Sequence, residues 1–368
     1  MSRRMHTNSS PIQQIRIRTD VETPNADKPV ASNPRFLASI LIPNYQGADC
    51  ILKCVQSVLR AIGEDIEIIV VDNASPDKSA EIVRNLRSVK LIQLTSNVGY
   101  GEACNIVARN SSGGYLIFLN NDTVVREGWP SELLSCLADR SNAAACSKVA
   151  LPTAPETIDS CGGASDIYGF AWSRGNGEID RGQYDNSPSC FYAVGSSLAV
   201  RKDVFEAVGG FDKELFMYLE DVDLSWRLRL LGFNIRCVSG SKVIHRSGIS
   251  RMKTSDIQYL FNRNRLRMIL KNYSLRSLLG ILPRYLVLQV GLVTWVIARH
   301  RGDELRTILA AWLWNARHLR DTVRTRRAVQ GRRLVDDSSI AKHMMKKPAG
   351  VLFLLRLLRN PVLEKKFS

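Results

Sequence analysis

A nearly unbroken β-branched run stops at an acid and an amide in the segment Ile66-Glu67-Ile68-Ile69-Val70-Val71-Asp72-Asn73. A short apolar run without polar alternation is typical of a strand whose two faces are both covered. The residues that follow, Ala74-Ser75-Pro76-Asp77, are turn formers that end the strand in a loop. The segment therefore predicts a buried strand with a polar carboxyl end.

Similar apolar runs lie on both sides of this strand in the sequence, and segments of helical periodicity separate them. Further strands are predicted at residues 36–42, 89–94, 115–119 and 191–200, with short strands at 233–238 and 242–245. Helices are predicted at residues 50–62, 79–86, 101–110 and 220–231. This alternation predicts an α/β fold with a mostly parallel central sheet and helices on both of its faces.

The basic charge of the chain is confined to its last third. Residues 240–368 hold 27 Lys and Arg against 7 Asp and Glu, whereas residues 1–239 hold 24 against 28. A basic segment suits nucleic acid, an anionic membrane surface or a solvated face. We predict a disordered polar tail at residues 1–36, an α/β domain at 37–254, and a basic, partly amphipathic helical region at 255–368.

The N-terminal tail and the cysteines favour a cytoplasmic protein. The tail lacks the apolar core of a signal peptide, so we expect no targeting signal in it. The eight cysteines form no CxxC pair, and several lie in apolar runs. Buried free thiols in a reducing compartment are therefore expected, rather than a zinc cluster or a disulfide framework.

Polar residues follow each of the first four predicted strands. These carboxyl ends carry Pro43-Asn44, Asp72-Asn73, Ser96-Asn97 and Asn120-Asn121-Asp122. In sheets of this kind ligands bind beyond the carboxyl ends of the strands. Asp72 suits a base or a ribose, and the oxygen-rich Asn120–Asp122 tip suits a divalent cation shared with phosphates. A turn-capping Asp and a simple turn are the plainer alternatives.

Three carboxylates fall within four residues at Glu220-Asp221-Val222-Asp223, at the start of a predicted helix. Acids favour the first turn of a helix, which explains part of this excess. Close carboxylates also raise one another's pKa, which suits a general base or the edge of a metal site. His245 ends a short predicted strand, and a lone His is more often structural than a metal ligand.

The order of these motifs resembles the family 2 glycosyltransferases of the GT-A type, over residues 39–250. The matching motifs are the strand before Pro43-Asn44-Tyr45, the segments at residues 70–75, 97–105, 119–122, 195–201 and 209–212, the Glu220–Asp223 cluster, and His245. The subgroup looks like the rhamnosyltransferase-like members that build bacterial surface polysaccharides.

The resemblance implies a role for each matching position. Contacts to the donor nucleotide are implied for Pro43, Asn44, Asp72, Asn97, Asn105, Asn120 and Asn121. Asp221 matches the general base, and Gly195 and Glu220 lie on the acceptor side. Asp122 and His245 match ligands of a divalent metal, Mg²⁺ or Mn²⁺. The chain departs from the family at Asn120, where the metal motif usually begins with an acid.

An inverting transfer is what the resemblance implies, from a nucleotide-diphospho-sugar donor to a glycan or lipid-linked acceptor. The chemistry agrees, because a single displacement needs a base for the acceptor proton, a cation for the leaving diphosphate, and an in-line arrangement. From the subgroup we expect rhamnose from dTDP-rhamnose, with UDP-sugars as the next donors. Two other functions stay open: a catalytically idle sugar-nucleotide-binding scaffold, and a sugar nucleotidyltransferase. The latter is disfavoured because the loop after the first strand lacks a basic residue.

The most apolar stretch of the basic region is residues 278–298, which contains Pro283 and Arg284 near its start. The uninterrupted part, residues 285–298, is shorter than the roughly 20 residues that cross a bilayer. Arg-rich amphipathic helices with Trp favour peripheral attachment to the cytoplasmic face of a bacterial inner membrane. A helical subdomain with a solvated basic face is the alternative. No nucleic-acid partner is expected, because a recognition motif is missing.

Overall fold

The structure is a computed structural model that describes residues 35–186, 188–246 and 252–345. Nearly all of the predicted N-terminal tail, residues 187 and 247–251, and residues 346–368 of the predicted basic helical region lie outside these residues.

The first half of the domain alternates strands and helices as the sequence predicts. The strands are β1 (Phe36–Asn44), β2 (Ile66–Asp72), β3 (Val89–Gln93) and β4 (Gly113–Leu119). The helices between them are α1 (Ile51–Ala61), α2 (Ser79–Arg84) and α3 (Tyr100–Arg109). All four strands pair in parallel in the order β3-β2-β1-β4, with Asn44 opposite Asp72 in the register of β1 and β2.

The second half of the domain contains strands of unequal length, from 3 residues in β5 to 12 in β11. The strands are β5 (Thr123–Val125), β6 (Asn142–Ala150), β7 (Ile158–Cys161), β8 (Gly163–Ser165), β9 (Ala171–Ser173), β10 (Ser197–Arg201) and β11 (Asn234–His245). The helices are α4 (Trp129–Ala138), α5 (Lys202–Ala207) and α6 (Glu220–Leu230).

Two predicted strand boundaries differ from the structure. The strands expected at residues 233–238 and 242–245 form one continuous strand, β11, because a register shift between Val238 and Lys242 accommodates the intervening polar residues. The strand expected at 191–200 is β10 alone. The chain before β10 belongs to a loop, and this loop carries Gly195 to the edge of the site.

The central sheet is mixed rather than mostly parallel. Its order is β3-β2-β1-β4-β10-β6-β11-β5, with β7 beside β6. Antiparallel β10, between β4 and β6, interrupts the parallel pairing, which returns between β6 and β11. The predicted α/β class is confirmed, with helices on both faces of the sheet.

Two cores cover the two faces of this sheet, since adjacent strand residues point to opposite sides. Leu41 and Phe118 pack on one face with α3, α5 and α6, while Ile40 and Ile117 pack on the other face with α1 and α4. The eight cysteines are free thiols, as predicted. Six of them are buried.

The region after residue 252 is helical, as its sequence predicts. The helices are α7 (Thr254–Asn272), α8 (Leu275–Ala298), α9 (Gly302–Arg317), α10 (Leu319–Arg332) and α11 (Asp337–Ala341). Helix α7 packs directly on α6: Met268, Ile269 and Tyr273 share a core with Trp226. The predicted division near residue 254 therefore falls inside a packed structure.

Helix α8 is longer than its sequence suggests, because it continues through Pro283. It has 24 residues, which by length and composition is enough to cross a membrane. Only 22% of its most apolar window is buried inside the protein. Tyr285, Gln289 and Trp295 are among the residues that face the protein.

Candidate active site

Three of the predicted donor-side residues meet at the carboxyl ends of β1, β2 and β4. Asn44 Nδ2 donates hydrogen bonds to Asp72 Oδ1 (2.9 Å) and Ser79 Oγ (2.8 Å). Asn121 Nδ2 donates to Asn44 Oδ1 (2.8 Å). Parallel neighbouring strands end at the same edge, so residues 28 and 77 positions apart in sequence come together. Pro43 is buried within β1, opposite Val71.

The segment before α3 continues this polar edge. Asn73 Nδ2 donates to Asn97 Oδ1 (3.0 Å), and the backbone N–H of Gly99 donates to the same oxygen (2.9 Å). The backbone N–H of Val98 donates to Asn73 Oδ1 (2.9 Å). Asn97 therefore lies at the crevice, with its orientation set by Asn73.

Asn105 is placed differently from the other predicted donor contacts. It is buried in α3, where its Oδ1 accepts from the backbone N–H of Phe211 (2.8 Å) and its Nδ2 donates to the Phe211 carbonyl (2.9 Å). A Cβ at Gly210 would lie 2.5 Å from Asn105 Oδ1. Asn105 thus anchors the Gly209–Asp212 turn, and its contact with a nucleotide stays a prediction.

The predicted metal ligands lie side by side. His245 Nε2 is 3.2 Å from Asp122 Oδ1 and 3.3 Å from Asn120 Nδ2. The antiparallel pairing of β11 with β5 brings them together, because it sets His245 opposite Thr123. The other ring nitrogen, His245 Nδ1, is 3.3 Å from Asp159 Oδ2. A carboxylate behind a ligating imidazole is the usual arrangement that orients such a ring.

Asp159 was not predicted from the sequence. It lies on β7, in a Gly- and Ser-rich stretch without a recognisable pattern. Burial lowers the pKa of His245, but hydrogen bonds and charge interactions with Asp122 and Asp159 outweigh it and raise that pKa to about 9. In this state the imidazolium holds the two carboxylates together.

The predicted base, Asp221, is held by two backbone donors. The N–H of Gly195 donates to Asp221 Oδ2 (2.9 Å), and the N–H of Val222 donates to Asp221 Oδ1 (2.8 Å). Burial raises the pKa of Asp221 to about 6, because the two hydrogen bonds offset the loss of solvation only in part. A carboxylate with this pKa is ionised at neutral pH and basic enough to take a proton.

Glu220 lies beside the base in a more apolar setting. Burial and the neighbouring charge of Asp221 raise the pKa of Glu220 to about 8. Its Oε2 atom has no hydrogen-bond partner among the described residues. At neutral pH Glu220 is therefore mostly protonated.

Asp223 does not belong to the acidic cluster that the sequence suggested. Its side chain points away from the crevice, to Lys271 Nζ (2.8 Å) and Arg227 Nε (2.8 Å). Burial opposes ionisation of Asp223, but these two cations outweigh it and hold the pKa of Asp223 below its usual value. The expectation that all three carboxylates raise one another's pKa is wrong for Asp223, because adjacent helical positions point in different directions.

Tyr100 joins the predicted metal ligands to the predicted acceptor side. Its hydroxyl lies 3.1 Å from Asn120 Oδ1 and 3.2 Å from the carbonyl oxygen of Gly195. The sequence placed Tyr100 inside a motif without a role of its own. The structure connects it to both groups, so the residues predicted to contact the donor, to bind the metal and to act as the base share one continuous polar wall.

The sequence profile of glycosyl transferase family 2 matches residues 39–209, which contain most of this wall. The chain carries a family 2 glycosyltransferase domain. The predicted family and enzyme class are thereby confirmed. Asp221 and His245 lie beyond the matched residues, but each contacts a residue inside the match. Asp221 accepts a hydrogen bond from Gly195, and His245 lies beside Asp122.

Proteins similar to this glycosyltransferase include enzymes named for rhamnose. The O-antigen biosynthesis protein RfbC of Myxococcus xanthus is 28% identical over 235 residues, 61% of this chain and 18% of that protein. The N-acetylglucosaminyl-diphospho-decaprenol L-rhamnosyltransferase of Mycobacterium tuberculosis is 27% identical over 231 residues, 56% of this chain and 75% of that protein. The dTDP-rhamnosyl transferase RfbF of Shigella flexneri is 29% identical over 240 residues, which are 60% of this chain and 77% of that protein. The predicted rhamnosyltransferase-like subgroup is supported by these names.

A solved structure shows the same fold as the glycosyltransferase domain. The crystal structure of GalNAc-T7 with UDP, GalNAc and Mn²⁺ superposes with a TM-score of 0.52 at 18% sequence identity. The match covers 65% of this chain and 48% of that one. At this identity the comparison concerns the fold alone, and it confirms the predicted GT-A class.

Proposed function

We propose that the chain is an inverting glycosyltransferase that moves rhamnose from dTDP-rhamnose to a hydroxyl of a lipid-linked or polysaccharide acceptor. The observation that carries the proposal is the single polar wall running from Asp72 through Asp122 to Asp221, joined by Tyr100. The choice of donor and acceptor rests on the names of the relatives from Mycobacterium tuberculosis and Shigella flexneri.

The proposed reaction is a single displacement. Asp221 takes the proton of the acceptor hydroxyl while that oxygen forms a bond to the anomeric carbon of the sugar. The bond from this carbon to the nucleotide diphosphate breaks, and the diphosphate leaves with the electron pair. Gly195 keeps the Asp221 carboxylate facing the acceptor side, since its N–H holds one carboxylate oxygen. General-base catalysis of this kind contributes about 10²- to 10⁴-fold.

Donor binding is assigned to the other end of the wall. Asp72 and Asn97 face the nucleotide. Asn44 fixes the Asp72 carboxylate, and Asn121 in turn holds Asn44. Each of these side chains is held by a second protein group, so the site is organised before the donor arrives. Preorganised polar groups bind a ligand without a large ordering cost.

Asp122 and His245 fit a divalent metal, Mg²⁺ or Mn²⁺, as a pair of protein ligands. A carboxylate and an imidazole 3.2 Å apart, with Asp159 behind the imidazole, would form a suitable donor set once His245 Nε2 gives up its proton. Among residues 35–186, 188–246 and 252–345, no group of three His, Cys, Asp or Glu is arranged to hold a metal. The donor diphosphate is therefore needed to complete the coordination. When bound, the metal neutralises charge on the leaving diphosphate.

We propose a peripheral position on the cytoplasmic face of the inner membrane, and the exposed side of α8 supports it. Leu279 and Val287 on this helix are each 71% exposed, and Arg276 and Arg284 lie on the same helix. Apolar side chains insert below the headgroups while the guanidinium groups meet anionic phosphates. This position would bring the crevice close to a lipid-linked acceptor.

The proposal is tested by thermal-shift and transfer measurements on the full chain. We expect dTDP-rhamnose with Mn²⁺ to raise the melting temperature more than UDP-glucose, since only the preferred donor binds tightly to the native state. Release of dTDP in the presence of a polyprenyl-diphosphate-linked glycan would then show transfer. Tight donor binding without hydrolysis or transfer would instead identify an idle sugar-nucleotide-binding scaffold. This alternative is tested because Asn120 stands where the metal motif of the family usually begins with an acid. Equal shifts for all nucleotides would contradict the assignment of the donor.

A further inference from the structure

The segment at residues 215–219, which we call the entry loop, leads directly into α6. Three of its residues adopt positive φ angles although each has a Cβ: Phe216 (61°), Tyr218 (69°) and Leu219 (66°). The N–H of Met217 donates to the Leu215 carbonyl (2.7 Å), so Phe216 is the centre of a tight γ-turn. Such backbone is unfavourable for residues other than glycine and persists only where neighbouring groups hold it.

The entry loop touches both halves of the active site. The N–H of Tyr100 donates to the Phe216 carbonyl (2.6 Å), and a Cβ at Gly99 would lie 2.5 Å from the same oxygen. The start of α3 is therefore seated on the loop. At the other end, the N–H of Asp223 donates to the Leu219 carbonyl (2.9 Å), so Leu219 begins the helix that carries Asp221.

Two residues of α7 hold the entry loop from behind. Asn264 Nδ2 lies within hydrogen-bond distance of three loop carbonyls: Leu215 (2.8 Å), Met217 (2.9 Å) and Tyr218 (2.8 Å). Arg263 Nη2 donates to the Leu215 carbonyl (2.6 Å). The carbonyls of a tight turn converge, so a compact neutral donor such as an amide can satisfy several of them.

The Asn264 side chain is itself fixed. Its Oδ1 accepts from Arg263 Nε (2.8 Å), and its side chain is fully buried. The Arg263 guanidinium packs over the ring of Trp314 at 4.5 Å, and Asn315 Nδ2 donates to the Arg263 carbonyl (3.0 Å). Helix α9 thus holds Arg263, and through it Asn264, from the side of α7 that faces away from the entry loop.

An ion-pair network joins the rest of α7 to the catalytic domain. Lys271 is fully buried between Asp212 (2.6 Å) and Asp223 (2.8 Å). Arg267 also pairs with Asp212 (2.9 Å). Helix α7 therefore has one defined position relative to α6, which a positioning role requires.

From these contacts we propose that Asn264, oriented by Arg263, is a positioning residue that holds the entry loop and thereby aligns the Asp221 carboxylate with the donor. The inference rests on the proposed function, in which Asp221 is the base. It assigns α7, outside the residues 39–209 that match the family, to the catalytic machinery. Helix α7 thus differs in its proposed role from α8, which is the helix proposed to contact the membrane.

The substitution Asn264→Asp tests this assignment, because it keeps the size of the side chain and removes its N–H donors. Without them the strained loop relaxes and Asp221 moves. A displacement near 1 Å costs about 10²-fold in rate, so we expect kcat to fall 20-fold or more while the donor KM changes less than threefold. Asn264→Ala is the second variant, in case a carboxylate among the loop carbonyls prevents folding. Asn262→Ala on the same helix is the control, since the contact found for its side chain is with Arg265.

Hydrogen exchange of the amides at residues 215–223 provides a readout that does not depend on activity. Faster exchange there in the Asn264 variants, with wild-type exchange in the strands of the sheet, would support the inference. Wild-type kcat in folded Asn264 variants would overturn it, and so would a lower melting temperature with unchanged kcat per folded molecule. If the wild-type chain transfers no sugar, the proposed function fails instead, and the exchange data still decide whether Asn264 holds the loop.

Discussion

The backbone N–H of Gly195 donates a 2.9 Å hydrogen bond to Oδ2 of Asp221. This contact ties the loop before β10 to the first turn of α6, across 26 residues of sequence. A Cβ at position 195 would lie 3.5 Å from the same oxygen, in van der Waals contact with the Asp221 side chain. A glycine here keeps side-chain atoms away from Asp221, which suits the proposed approach of an acceptor hydroxyl to that carboxylate.

Replacing Asp221 with Asn should abolish transfer while leaving donor binding nearly intact. The amide cannot accept the acceptor proton, and loss of a general base costs about 10²- to 10⁴-fold in rate. The donor-side residues Asp72 and Asn97 are not in contact with it, so the dissociation constant for dTDP-rhamnose should change less than threefold. Rates and calorimetric binding measured on the same preparation check both parts. Full activity in this variant would rule out Asp221 as the base.

The rate should rise with pH through about 6. Burial raises the pKa of Asp221 to about 6, and only the ionised carboxylate accepts a proton, so kcat/KM falls as the pH drops below that value. The profile should level off above pH 7 at saturating Mn²⁺. Initial rates between pH 4.5 and 8.5 measure the midpoint, and a flat profile across pH 5 to 7 would contradict this prediction.

Metal binding should weaken in a graded order across three variants of the proposed site. His245→Ala and Asp122→Asn each remove a proposed ligand, and we expect the Mn²⁺ concentration for half-maximal activity to rise 10-fold or more. Asp159→Asn should act less strongly, since it changes only the group that orients His245. Asp303→Asn is the matched control, because that carboxylate is 89% exposed on α9. Equal metal requirements in all four variants would exclude this site.

Substitution of Lys271 with Met should destabilise the protein without touching the crevice. It removes one of the two cations that pair with each of the buried carboxylates, leaving Asp212 with Arg267 and Asp223 with Arg227. We therefore expect a loss of about 1–3 kcal/mol, less than the ~3–5 kcal/mol typical of a buried charge left unpaired. Lys342→Met on the exposed surface should change the free energy of unfolding by less than about 0.5 kcal/mol. Urea unfolding at pH 7 compares the two variants, and a similar stability for both would contradict the predicted role of the network.

The same network predicts how stability depends on acid. Burial opposes ionisation of Asp212, but Lys271 and Arg267 outweigh it, and the pKa of Asp212 is lowered, as is that of Asp223. A carboxylate whose pKa is lowered by folding stabilises the protein at pH values above its pKa in the unfolded chain, near 3.8. This stabilisation is lost as the pH falls through the pKa of the folded state. The wild-type chain should therefore lose stability below about pH 4 more steeply than Lys271→Met. Parallel acid-unfolding slopes would contradict this.

Attachment to anionic vesicles should depend on the exposed side of α8. The double substitution Leu279→Asp and Val287→Asp places two charges where contact with the acyl chains is expected. Binding of this variant to vesicles containing phosphatidylglycerol should fall 10-fold or more. Leu334→Asp, at a residue that is 78% exposed but not on α8, is the control. Cosedimentation measures binding, and transfer to a soluble acceptor should be unchanged. Unaltered vesicle binding would favour a solvated helical subdomain.

Much of the candidate site was predictable because its residues follow strands. Asp72 ends β2, and Asn97 and Asp122 lie within four residues of the ends of β3 and β4. Strand ends on one side of a parallel sheet meet at one edge. The same reasoning failed for Asp223, which faces Lys271, and it gave no hint of Asp159. The sequence places Asp223 beside Asp221, but the turn of the helix directs the two side chains to different surroundings.

Local patterns were sufficient for the α/β class, the carboxyl-end position of the crevice and the helical character of the last third, because apolar periodicity and turn residues act over a few neighbours. The path of the chain through space decided the rest. Antiparallel insertion of β10 sets the mixed sheet order and delivers Gly195 to Asp221, and the packing of α7 on α6 brings Asn264 to the entry loop. These pairs are separated by tens of residues, so their contact depends on the folded backbone and leaves no signature in either local segment.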